Sequence, residues 1–152
     1  MARIEVATGK KIVVITTKSR MEAIITRAAK KATFTIRVNG MTGVSAFDLL
    51  DYAQGMRKLC VKLGVVVDKA VSQRGTRIDP DEPEQVPGAD LTVTFQIFPK
   101  DTTKHMAFTR YAADGRVKAS MQGWTFTDIA SAIQVAFVAE QAANLMKKYE
   151  GI

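Results

Sequence analysis

Apolar and polar residues alternate most strictly at Leu91-Thr92-Val93-Thr94-Phe95-Gln96-Ile97-Phe98, a run closed by Pro99. Side chains of a strand point to opposite faces in turn, so this run predicts a half-buried strand. Ala32 to Val38 alternates as well, with Phe34, Ile36 and Val38 against Thr33, Thr35 and Arg37. Lys104 to Thr125 reads as two strands joined at Asp114-Gly115. Met106, Phe108, Val117, Ala119 and Met121 fall on one face. His105, Thr109, Tyr111, Arg116, Lys118, Ser120 and Gln122 fall on the other. At the N-terminus Arg3-Ile4-Glu5-Val6 alternates and Thr8-Gly9 supplies a turn. The unbroken run Ile12 to Ile15 fits a strand covered on both faces, by the domain itself or by a partner chain.

Three segments carry helix-start signals. Ser19-Arg20-Met21-Glu22, Ser45-Ala46-Phe47-Asp48 and Thr125-Phe126-Thr127-Asp128 each place an acid three residues after a hydroxyl. The hydroxyl can accept from an orphan backbone N–H, and the acid favours the positive helix end. The predicted helices run about 19–31, with Met21, Ile24, Ile25 and Ala28 inward, about 46–63, with Gly64 as C-cap, and about 126–149. Val65 to Val67 fits either a longer helix or a further strand. The last helix is apolar on nearly every side from Ile129 to Ala139, so it must be covered all round. These elements predict an α+β fold: a mostly antiparallel sheet with an N-terminal hairpin, packed against about three helices, the long apolar C-terminal one most buried. The 152 residues suggest a single domain, with an exposed acidic, proline-rich loop at about 79–90.

Charge changes the picture more than composition does. The net charge is +7, with 22 Lys and Arg against 15 Asp and Glu. Most of the acid excess lies in "DPDEPE", so the rest of the chain is a basic body that can steer polyanions. The alternative is charge that serves solubility. One Cys forms no internal disulfide, and Met1 to Glu5 is charged at once, so a reducing, cytoplasmic setting is expected. Ile129 to Ala139 is too short to cross a bilayer, and no membrane partner is expected.

No catalytic motif, cofactor loop or metal-ligand spacing is present. Gly9-Lys10-Lys11 lacks the upstream glycine and the hydroxyl of a phosphate-binding loop. A single His105 and a single Cys60 make no zinc site. Asp79, Asp81, Glu82 and Glu84 lack the glycine and spacing of a calcium loop. Cys60 and Trp124 read as core residues. An enzyme is therefore not the expected class, although catalytic groups can converge from distant positions.

What remains is basic and aromatic. Arg110, Tyr111, Arg116 and Lys118 on the hairpin, Arg57 and Lys58 on the second helix, and Arg74 and Arg77 in the loop could meet phosphates, with Tyr111 stacking on a base. The expected function is a non-catalytic, oligomeric nucleic-acid-binding protein with a preference for single strands. The hairpin's polar side can equally be an ordinary wet sheet face. A second reading is a structural or assembly protein, such as a viral or particle component. It would self-associate through Ile12–Ile15 and the last helix, and its acidic loop would meet the basic face of the next subunit. A third is a small-anion or nucleotide binder with an interface site. The order helix, three antiparallel strands, long helix resembles the layouts of double-stranded-RNA-binding domains and single-strand annealing proteins, in order alone and with no shared motif.

One internal echo stands out. "RVNGMTGVSAFDLLDYAQ" and "KASMQGWTFTDIASAIQVA" both run strand, glycine, Met or Trp, Thr, cap, helix. A common strand-to-helix solution or a duplication would each produce it.

Overall fold

A computed structural model describes residues 2–71 and 74–151. In chain order the strands are β1 (Arg3–Ala7), β2 (Lys11–Ile15), β3 (Arg20–Ala28), β4 (Lys31–Val38) and β5 (Met41–Val44), followed by helix α1 (Ala46–Val67). Then come β6 (Leu91–Phe98), β7 (Asp101–Arg110), β8 (Val117–Met121), β9 (Trp124–Phe126) and helix α2 (Ile129–Glu150). All pairings are antiparallel. They build two sheets, ordered β1-β2-β3-β4-β9 and β5-β8-β7-β6.

The two halves repeat one plan and exchange one strand. β5 leaves its own half to pair with β8, and β9 leaves its own half to pair with β4. The pairings are counterparts: Val38 faces Trp124 and Met121 faces Met41, each residue of the second half lying 83 positions after its counterpart in the first. The helices keep the same spacing. Every buried residue of α1 except Gly64 has a buried counterpart in α2 at that offset. The internal echo thus marks a structural repeat with an approximate two-fold axis. At the exchange point Gly40 meets Gly123, its own counterpart, and a Cβ on Gly40 would stand 2.9 Å from the Gly123 nitrogen. Two glycines are needed there because two backbones cross in contact.

α1 packs on β1, β2 and β3, α2 packs on β6 and β7, and the helices pack on each other. Both sheets turn their apolar faces to this helix pair, and one core joins them. By length and composition alone α2 could cross a bilayer, but it is mostly buried inside this core, as a central helix is.

Among the described residues, the expectation of one sheet packed against about three helices is corrected to two antiparallel sheets of nine strands in all and two helices. Residues 20–31 form β3, the turn after it and the first residue of β4, with Ser19 just before the strand. The buried set there is Met21, Ala23 and Ile25, a period of two. The half-buried Ile24 on the opposite face mimics helical spacing. Ile24-Ile25-Thr26 is stiff and favours a strand once β2 and β4 offer pairing on both sides. The Ser19 hydroxyl donates to the Asn39 carbonyl instead of capping a helix. Val65 to Val67 prolongs α1, and Asp68, at φ 55°, caps it in place of Gly64. In α2 the cap is Asp128, which accepts from Ser131 N, while Thr125 and Phe126 belong to β9. The Ser45–Asp48 capping box forms with both of its bonds.

The apolar runs expected to drive self-association are covered within the chain: Ile12, Val13 and Val14 are buried, as are Ile129, Ile133, Val135 and Val138.

Candidate nucleic-acid interface

With the helices on their apolar sides, both sheets present a polar outer face. Register fixes what lies there. On the first sheet one row reads Val13, Glu22, Arg37, Thr125, and the next Lys11, Ile24, Thr35. Thr26 pairs with Thr33 beyond them, and Arg20 stands opposite Ile15. On the second sheet the rows are Thr92, Thr109, Lys118, then Thr94, Ala107, Ser120, then Gln96 and His105. Thr92 and Thr109 share a hydrogen bond of 3.0 Å between their hydroxyls.

These rows hold the cations Lys11, Arg20, Arg37 and Lys118, His105, several hydroxyls, and one carboxylate. That carboxylate, Glu22, lies 3.3 Å from Lys11 Nζ and 3.6 Å from Arg20 Nη1. Its charge is thereby offset, and the row remains net basic. The acids Asp79, Asp81, Glu82, Glu84 and Asp90 are gathered in the exposed linker between α1 and β6.

The structure scatters the residues singled out from sequence. Lys118 lies on the outer face as its strand parity requires. Arg110 does not: it shares parity with Met106 and Phe108, turns toward α2, and holds its guanidinium 5.8 Å from the centre of the Tyr149 ring. Tyr111 is exposed just past the end of β7, and lines a cleft of about 490 Å³ with Arg110, Gly115 and linker residues 85–89. Arg116 lies in the β7–β8 turn and pairs with Asp114, Nε to Oδ2 2.6 Å. Its backbone N–H and side chain hold the Asp114 carboxyl below its usual range. Arg57 binds Glu140, Nε to Oε1 2.7 Å, in a half-buried pair between the helices. Lys58 donates to the Ala2 carbonyl at 2.8 Å. Arg77 pairs with Asp79 at 3.3 Å in the exposed linker, and Arg74 is exposed at the start of its described part. Arg110, Tyr111, Arg116 and Lys118 thus gather at one end of the second sheet, while Arg57, Lys58, Arg74 and Arg77 lie apart from them on the helices and linker.

Sequence reasoning misses Lys11, Arg20 and Arg37 as one surface, because the expected helix at 19–31 takes Arg20 away from the sheet. The signal is present in the alternation of Met21, Ala23 and Ile25.

The Cys60 thiol is fully buried, and burial pushes it up to about 12, which disfavours the thiolate. Among the described residues no group of three or more His, Cys, Asp or Glu is placed to hold a metal. Trp124 is buried on the inner side of β9, a core anchor. No protein-family model matches the chain, and comparison with curated proteins and with solved structures finds no match. The geometry alone carries the functional reading.

Proposed function

We propose that this chain is a non-catalytic nucleic-acid-binding protein that takes single strands across the outer faces of its sheets. The observation that carries this reading is the segregation of charge. Cations and hydroxyls populate the outward rows of both sheets, Glu22 among them lies beside two cations, Asp101 at the start of β7 is paired with Lys104, and five further acids sit together in the linker. Lys11, Arg20, Arg37 and Lys118 would meet phosphates, and the Thr and Ser hydroxyls would bond sugar and base edges. Tyr111, exposed at the end of the second sheet, offers a ring beside these rows for stacking.

The test is fluorescence anisotropy of a labelled single-stranded oligonucleotide across a salt series. Binding at low salt that falls steeply with salt is expected. Arg37→Ala with Lys118→Ala should weaken it and flatten the salt slope by about 1.4, at about 0.7 for each phosphate no longer neutralised. A folded protein with no binding at low salt rejects the reading. An unchanged slope in the double variant moves the site off these faces.

A further inference from the structure

The repeat supplies an internal control for each surface of the helix pair. On α2 the outward groove is lined by Phe137, Gln141, Asn144, Leu145 and Lys148, and the chain's own linker lies along it from Arg77 to Pro80. Hydrogen bonds fix that strap: Gln134 Nε2 donates to the Thr76 carbonyl at 2.7 Å, and Ile78 N–H donates to Gln141 Oε1 at 3.3 Å. The corresponding groove on α1 is lined by Lys58, Val61, Lys62 and Val65, the counterparts of Gln141, Asn144, Leu145 and Lys148, together with Arg3 and Ile4. It has a volume of about 650 Å³ and an apolar floor left open: Val65 is 73% exposed, Val61 45% and Ile4 43%. At two of these places, 61 and 65, α2 carries polar Asn144 and Lys148. At the counterparts of Lys62 and Gln54, α2 carries apolar Leu145 and Phe137, so the two grooves place their apolar residues differently, and only the α1 groove leaves Val61 and Val65 exposed.

We infer that the α1 groove receives the acidic linker segment Asp81–Val86 of a second copy of this chain. Charge decides the occupant. The groove brings Arg3, Lys58 and Lys62 to its rim and has no carboxylate among its lining residues. The segment Asp81-Glu82-Pro83-Glu84-Gln85-Val86 brings three acids, and Pro83 and Val86 for the apolar floor. It has neither helix nor strand, its Asp81 N–H donates to the Thr94 carbonyl at 3.0 Å, and Val86 is 54% exposed. The strap on α2 is the template: an extended stretch, acidic and proline-bearing at Asp79-Pro80, laid along the equivalent helix. Two copies that each take the other's linker close a dimer, and a one-way exchange builds a ring or an open chain. This inference is tested separately from the nucleic-acid reading: its groove lies on α1, although Gln85 and Val86 of the segment also line the cleft beside Tyr111.

Sedimentation velocity of nucleic-acid-free protein over a concentration series, at moderate and high salt, tests it. Self-association that weakens with salt is expected. Lys62→Glu should weaken it roughly tenfold, and Glu82→Lys with Glu84→Lys should do the same. A chain carrying all three reversals should associate again. Val65→Asp, at an exposed position that costs the fold little, should give monomers with an unchanged circular dichroism spectrum. A wild-type protein that stays monomeric throughout overturns the inference, and so does association indifferent to these substitutions. A monomer that instead binds an unrelated acidic peptide in this groove overturns the choice of occupant.

Discussion

Arg57 and Glu140 are the same position in the two halves of this chain, 83 residues apart, and they bind each other with Nε to Oε1 at 2.7 Å and Nη2 to Oε2 at 3.2 Å. Two counterpart residues can touch only beside the axis that relates them, so this ion pair marks where α1 and α2 cross. At a site of this kind identical side chains would set like charges together. The repeat therefore had to differ here, one half supplying the cation and the other the anion.

That relationship makes a swap informative. Arg57→Ala or Glu140→Ala leaves a half-buried charge and should cost about 1 kcal/mol, a partly exposed pair being worth little more. For a chain of this size that lowers the melting temperature by roughly 2–4 °C. Arg57→Glu combined with Glu140→Arg should recover most of the loss, because each position sees the environment of the other. Thermal melts of the singles and the swap check this. A swap no better than the two losses added together would show that the environments are not equivalent.

A second consequence concerns the glycines at the strand exchange. A Cβ on Gly40 would stand 2.9 Å from Gly123 N and 3.0 Å from Met121 O, and one on Gly123 would stand 3.0 Å from Val38 O. These neighbours are backbone and cannot rotate away. Gly40→Ala and Gly123→Ala should each cost about 1–3 kcal/mol, the usual penalty for overpacking. Gly9→Ala, with no other atom within 4 Å of the added carbon, is the control and should be near neutral. Urea unfolding midpoints measure all three, and a tolerant Gly40 or Gly123 would mean that the crossing backbones can separate.

Much of this architecture is legible in the sequence. Strict alternation marks β6, β4 and the β7–β8 hairpin, and the Ser45 box marks the start of α1. β3 is not legible, because Ile24 is apolar on an outer face and completes a false helical stripe with Met21, Ile25 and Ala28. Ile12–Ile15 reads as needing cover on both faces, and the chain itself supplies it: Ile12 and Val14 face the core, while Val13 sits on the outer face between Val6 and Glu22. Of the candidate site, Lys118 follows from parity. The same parity puts Arg110 with Phe108, away from the outer face where the hairpin's basic character suggests it. The open groove on α1 is not legible, because it becomes visible only when Val61 and Val65 are set beside Asn144 and Lys148 in the repeat.

The last prediction concerns pH. Asp51, 4% exposed on the inward side of α1, accepts from the Thr17 backbone N–H and hydroxyl, each at 2.8 Å to Oδ2. Burial alone would raise its pKa, but the Thr17 bonds and the Ala2 backbone favour the carboxylate and bring the pKa below its ordinary value. A carboxyl whose folded value is depressed adds stability that is fully present above the unfolded value. That stability is lost as pH falls through the folded one. Wild-type protein should hold its Asp51 contribution near neutrality and shed it below about pH 4. Asp51→Asn retains an acceptor for Thr17 but no charge. It should cost about 1–2 kcal/mol at pH 7, the charge-assisted part of these bonds, and show a shallower acid limb. Its Gln134 counterpart at the same place on α2 is uncharged, so no matching loss arises from the other half. Urea unfolding at pH 7, 5, 4 and 3 compares the two proteins. Parallel curves would mean that the Thr17 bonds hold a protonated and an ionised Asp51 equally well.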